Sequence, residues 1–146
     1  MSRRTIAIAA ALSVLALGSP LITGCTNPLE TQTLEFMRNF SQGLEKYEAG
    51  NYQGAITDYD KAIEINPQDA GAYSNRGSAK DDLGDYQGAI VDYDKAIEIN
   101  PQYASAYLNR GIARELVNDL AGACSDWRKA ADFGLKEPAQ WVKNQC

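Results

Sequence analysis

The sequence predicts an all-α protein, a solenoid of three helix-turn-helix repeats closed by a C-terminal capping helix. Three observations carry this. Tyr52 to Gln68, YQGAITDYDKAIEINPQ, returns 34 positions later at Tyr86 to Gln102 as YQGAIVDYDKAIEINPQ, with only Thr57 and Val91 differing. A fixed period of that size marks stacked helical hairpins, none of which can bury its apolar face alone. Within the units, Gly50-Asn51, Gly84-Asp85 and Asn118-Asp119 are turn signals. Asn66-Pro67 and Asn100-Pro101 end the second helices of the first two units, because proline pushes its predecessor out of helical backbone.

The chain opens on an export signal, residues 1–24. Arg3 and Arg4 precede an uncharged run whose apolar heart is Ile6 to Leu17. That core suits a signal peptide and is shorter than the roughly 20 residues that span a bilayer; an uncleaved anchor is the alternative. Leu21-Ile22-Thr23-Gly24-Cys25 resembles the bacterial lipobox, with Ile22 where leucine is preferred. The resemblance implies that Cys25 carries a diacylglyceryl thioether and an acylated amine and becomes the mature N-terminus. Acyl chains would hold it on the membrane, each buried methylene contributing about 0.8 kcal/mol. Arg3-Arg4 also resembles the opening of a twin-arginine signal, although two basic residues open most leaders. Residues 25–35, polar around Pro28 and without a sustained apolar period, read as a tether.

Three units follow, at 36–69, 70–103 and 104–137, and Pro138 opens the capping segment 138–146 with Trp141 and Val142 on one side. Gly43, Gly77 and Gly111 sit mid-helix, where glycine costs about 1 kcal/mol against alanine, so a close contact must offset it. Ala55, Ala89 and Ala123 supply small faces on the second helices. Tyr59, Tyr93 and Trp127 are expected to fill the space between neighbouring helices. Together with Tyr73, Tyr107, Ala62, Ala96, Ala130, Pro67 and Pro101, these positions resemble the tetratricopeptide (TPR) repeat. Asn39 and Leu135 stand where the family has a large residue and proline. The resemblance implies a right-handed solenoid that binds proteins.

Composition narrows the chemistry. Fourteen Lys and Arg against nineteen Asp and Glu give a net charge of −5, which argues against a nucleic-acid partner. The absence of histidine removes the commonest general base and metal ligand. Asp58 and Asp60, with Glu64 and the copies Asp92, Asp94 and Glu98, could be imagined as a cation site. Flanking the buried Tyr59, Asp58 and Asp60 are expected to point outward and pair with Lys61 and its copy Lys95. No enzyme activity, cofactor, metal or small-molecule substrate is expected.

Binding is expected on the face made by the first helix of each unit. The positions that the TPR family uses there are Met37, Phe40, Ser41, Leu44, Tyr47 and Glu48 in unit one. Unit two offers Gly71, Ser74, Asn75, Ser78, Asp81 and Asp82, and unit three Ser105, Leu108, Asn109, Ile112, Glu115 and Leu116. One branch of the family clamps a chaperone's C-terminal carboxylate with basic and asparagine side chains. Asn75 matches that clamp, but Phe40, Leu44, Ser105 and Asn109 do not. The groove therefore suits a protein segment with apolar anchors and a neutral or basic middle.

The resulting expectation is a lipid-anchored adaptor or scaffold on the extracytoplasmic side, periplasmic or lumenal. Near-identical repeats ending in a cysteine resemble those common in cyanobacteria, which implies an assembly factor for an envelope or photosynthetic-membrane complex as a related role. A structural lipoprotein whose groove is filled by Leu29 and Leu34 of its own tether is a further alternative. Beyond Cys25, the remaining Cys124 and Cys146 have their midpoint at Leu135, the turn between unit three's second helix and the cap. Two such residues lie level in an antiparallel hairpin, so a disulfide is expected, contributing about 3 kcal/mol on the chain-entropy model.

Overall fold

The computed structural model describes residues 27–136 together with Val142 and Cys146. Six α-helices occur among the described residues. They are α1 (Pro28–Glu48), α2 (Tyr52–Ile65), α3 (Ala70–Asp82), α4 (Tyr86–Ile99), α5 (Ala104–Leu116) and α6 (Leu120–Asp132). Each pairs with its neighbour in sequence, and α1, α3 and α5 touch in turn along one side, giving an all-α solenoid of three hairpins. Among the described residues no helix is long and apolar enough to cross a membrane. Cys25 and most of the capping segment lie outside the described residues, as does the signal peptide.

The turns form where the sequence placed them, and capping side chains start the second helices. Gly50, Gly84 and Asn118 adopt positive φ, closing the first helix of each unit. Asn51, Asp85 and Asp119 then accept hydrogen bonds from the backbone N–H of Gly54, Gly88 and Gly122, each at 3.0 Å. A Cβ on any of those three glycines would lie within 3 Å of the capping side chain, which explains a recurrent glycine just inside each helix. Asp69 caps α3 in the same way, at 2.7 Å, whereas Tyr103 gives α5 no side-chain cap.

The expected tether is corrected by α1, which begins at Pro28 rather than after residue 35. Asn27 accepts from Leu29 N–H, Pro28 occupies the first turn and Glu30 complements the helix dipole. These start signals outweigh the weak apolar period of the segment. Leu29 and Leu34 remain 68% and 66% exposed on α1, so they do not fill the groove as the self-filled alternative required.

The core is built from the recurrent small and aromatic positions. Gly43 and Gly77 make room for the rings of Tyr59 and Tyr93, and Gly111 does so for Trp127; added Cβ atoms would meet those rings at 2.5, 2.9 and 2.4 Å. The glycine thus accommodates the aromatic of its own hairpin. Between hairpins, Ala79 packs on Ala55 and Tyr59, and Ala113 on Ala89 and Tyr93. Thr57 and Val91, the single difference between the two copies, sit at an exposed position.

Asp58 and its copies overturn the outward placement expected of them. Asp58, Asp92 and Asp126 are all buried, because each closes an ion pair between the two helices of its hairpin. Lys46 reaches Asp58 at 2.5 Å, Lys80 reaches Asp92 at 2.8 Å and Arg114 reaches Asp126 at 2.9 Å. Arg76 adds a bidentate grip on Asp92, at 2.9 and 2.5 Å, and reaches back to Asp60 of the preceding unit at 2.6 Å. Arg110 repeats this with Asp126 and with Asp94, the latter at 2.6 Å. Burial alone would pull the two guanidinium pKa values down, but the hydrogen bonds the guanidinium groups donate to these carboxylates, with their charge, outweigh it and hold both above the ordinary value. The ladder stops at both ends of the array. Gln42 stands in unit one where Arg76 and Arg110 stand later, and Arg128 stands in unit three where Asp60 and Asp94 would receive the next rung. Lys61 does approach Asp58, at 3.5 Å, whereas Lys95 turns to Glu98 at 2.9 Å.

Candidate protein-binding groove

The first helices place the expected groove residues unevenly. A cavity of about 250 Å³ lies between units one and two, lined by Leu44, Tyr47, Glu48, Tyr59, Asn75 and Ser78. α1 contributes Leu44, Tyr47 and Glu48 from its last turns, α3 contributes Asn75 and Ser78, and Tyr59 comes from α2 behind them. Asp82 is joined to this group because Tyr47 donates its hydroxyl hydrogen to Asp82 Oδ2 at 2.5 Å. Ser78 is held by Tyr93, their hydroxyl oxygens 3.2 Å apart.

The remaining expected residues lie elsewhere or serve the core. Met37 is 60% exposed and is not among the residues lining the cavity. Phe40 stacks on Phe36 with ring centroids 5.8 Å apart and leans on Tyr59 at 6.0 Å, so it supports the first unit's core as well as bordering the groove. Ser74 is buried and is therefore not displayed to a partner. Leu108, Asn109 and Ile112 on α5 are half-buried and form a separate stretch beyond the cavity. Cys124 of α6 and Cys146 are joined by a disulfide with Cα atoms 5.8 Å apart, and neither lines the cavity.

Electrostatically the cavity is acidic. Burial, reinforced by Glu48, pushes the Tyr59 hydroxyl up to about 12, and its oxygen is buried without a hydrogen-bond partner. Burial and then the hydrogen bond to Asp82 raise Tyr47 as well. Asp81, on the adjoining turn of α3, is pushed up to about 6 by burial and by its neighbour Asp82. One of its carboxylate oxygens also lacks a partner. The sequence predicts Tyr59 as core, and its side chain also lines the cavity. The available signal was its hydroxyl, since a buried tyrosine normally finds a partner for that group.

Comparison with known proteins fits this geometry. A TPR repeat family model matches residues 43–80 and 82–116, half of the chain. A search of curated proteins gave no match. Among solved structures, the TPR domain of Arabidopsis OM64 is similar at 28% identity and a TM-score of 0.73, covering 77% of this chain and 93% of that one. The TPR2B domain of yeast Sti1, solved in a complex with pHsp70, is similar at 26% identity and a TM-score of 0.71, covering 77% and 93%. The first TPR of Spaghetti (RPAP3), bound to the HSP90 peptide SRMEEVD, gives 25% identity and a TM-score of 0.72, covering 75% and 89%. With its hairpins, turn glycines and small-residue packing in the same register, the chain belongs to the tetratricopeptide-repeat family.

Proposed function

We propose that this protein is an adaptor that holds an extended segment of a partner protein in the groove lined by α1, α3 and α5. The observation that carries this reading is the cavity between units one and two, where Leu44, Tyr47, Asn75 and Ser78 converge from two first helices. Such a cavity gives a partner both apolar anchorage and hydrogen-bonding groups. The similar TPR domains of Spaghetti and yeast Sti1, described with HSP90 peptide and pHsp70, support peptide recognition on this fold. Their ligands do not transfer directly. The positions of the chaperone-tail clamp hold Phe40, Leu44, Ser105 and Asn109 here, and a carboxylate needs opposite charge or paired donors.

The adaptor reading extends to an address on the extracytoplasmic side of a membrane, with Cys25 lipidated. The sequence Leu21 to Cys25 supports that reading. Site-specific photo-crosslinking from position 44 in native membranes, followed by identification of the product, tests the groove. One dominant protein adduct, lost with Tyr47→Ala, is expected; adducts that form equally from an exposed position of α6 such as Ser125 would contradict it. Detergent phase partitioning tests the anchor. The protein is expected in the detergent phase, and Cys25→Ser is expected to leave an unprocessed precursor; processing and partitioning unchanged by that substitution would contradict lipidation.

A further inference from the structure

The basic side chains around the groove are already committed to the buried ladder. Lys46 of α1 is engaged by Asp58, Lys80 of α3 by Asp92, and Arg76 by Asp92 and Asp60. All three reach carboxylates of the second helices, and none of them lines the cavity. The carboxylates on the other side have no such counterions. Among the described residues, no lysine or arginine forms an ion pair with Glu48, Asp81 or Asp82. Tyr59, fully buried, lines the cavity and its hydroxyl oxygen has no partner.

From this we infer that the cavity receives one basic side chain, a lysine or arginine, carried by the extended partner segment. The inference rests on the groove reading above and specifies its chemistry. A phenol can accept as well as donate a hydrogen bond. Beside the Glu48 carboxylate, the natural addition is a group that donates to both, which an ammonium or guanidinium does and a carboxylate cannot. Leu44 and the Tyr47 ring offer an apolar wall for the aliphatic stem of such a side chain. The volume, about 250 Å³, equals that of roughly eight waters at about 30 Å³ each. It fits one long side chain rather than a folded element. An acidic segment would instead bring its charge beside Glu48 and toward Asp82, which Tyr47 of the cavity wall contacts. This is the reverse polarity of the SRMEEVD peptide held by the similar domain of Spaghetti.

A selection with a random, terminally blocked heptapeptide library on the immobilised full chain tests this. The expected result is enrichment of lysine or arginine at one position and depletion of aspartate and glutamate. Replacing that basic residue in the best peptide by norleucine is expected to weaken binding about tenfold, the scale of one charge-assisted hydrogen bond. Glu48→Gln, at an exposed residue, and Tyr59→Phe are each expected to erase the enrichment while the thermal melt stays in place. Glu48→Gln alone decides the matter should Tyr59→Phe fail to fold. Selected peptides that are neutral or acidic at every position, yet lost with Tyr47→Ala, would overturn the basic side chain and leave the groove reading standing. Peptides retained equally by Tyr47→Ala, or no peptide selected at all, would overturn both.

Discussion

Two sets of carboxylates, one on the second helices of the hairpins and one at the ends of the first helices, behave in opposite ways. Asp58, Asp92 and Asp126 are buried, and cations from the facing helix meet each of them. Glu48 lines the cavity, Asp81 and Asp82 stand at the end of the neighbouring α3, Tyr47 of the cavity wall donates to Asp82 and an oxygen of Asp81 has no partner. The first set completes its charge within the fold and serves stability. The second set leaves its charge open, which suits a ligand better than a fold. Counting acidic residues in this chain would merge the two; only their counterions separate them.

The largest effect that sharpens this contrast is expected from Asp92. Asp92→Asn leaves Arg76 and Lys80 facing a neutral group in a buried site. It is expected to cost about 3–5 kcal/mol in urea unfolding, the usual scale for breaking a buried pair from one side. Asp60→Asn, which touches Arg76 from a half-exposed position, is expected to cost about 1 kcal/mol or less by the same measurement. If the two substitutions cost the same, the buried member of the ladder has no special weight. A smaller effect is expected from Gln42→Arg, which gives unit one a further cation for Asp58, beside Lys46 and Lys61, but has no preceding unit to reach. A gain of about 0.5 kcal/mol or none is expected, and a gain as large as the Asp92 loss would contradict the inter-unit role of this position.

Much of the fold was legible in the sequence, and its failures have physical causes. The 34-residue copy, the turn pairs and the Asn-Pro stops placed the hairpin boundaries of α2 to α5, because backbone constraints act locally. Tyr59, Tyr93 and Trp127 were legible as core because they recur with small residues at helical spacing. Asp58 was misplaced outward because its burial depends on Lys46, distant in sequence and reaching across the hairpin; no local pattern shows that pairing. The N-terminal start of α1 was missed because capping by Asn27 and Pro28 works without an apolar period. Of the groove, Leu44, Tyr47, Asn75 and Ser78 were legible from the repeat positions. Tyr59 was not, since a repeat position labelled core hides the outward end of a long side chain.

A smaller and pH-dependent effect is expected at Asp81. Its carboxyl is raised from 3.8 to about 6 by burial and by Asp82. The folded state therefore binds the proton more tightly than the unfolded chain, and the associated stability, full below about 4, is lost as pH rises through about 6. Asp81→Asn, which mimics the protonated form, is expected to stabilise by about 1 kcal/mol at neutral pH after allowance for solvent screening. That gain is expected to disappear in melts at acidic pH, and a gain independent of pH would show that charge is not its source.

The most direct test of the account sets Asp92→Asn and Asp81→Asn side by side in urea unfolding at neutral pH. The two substitutions are chemically identical and lie in consecutive helices of one hairpin, so the sign of the change isolates the role of the surroundings. Opposite signs are expected, a large loss for Asp92→Asn and a modest gain for Asp81→Asn. Loss of stability in both would contradict this, because the carboxylates at the groove would then be holding the fold together rather than standing open to a partner.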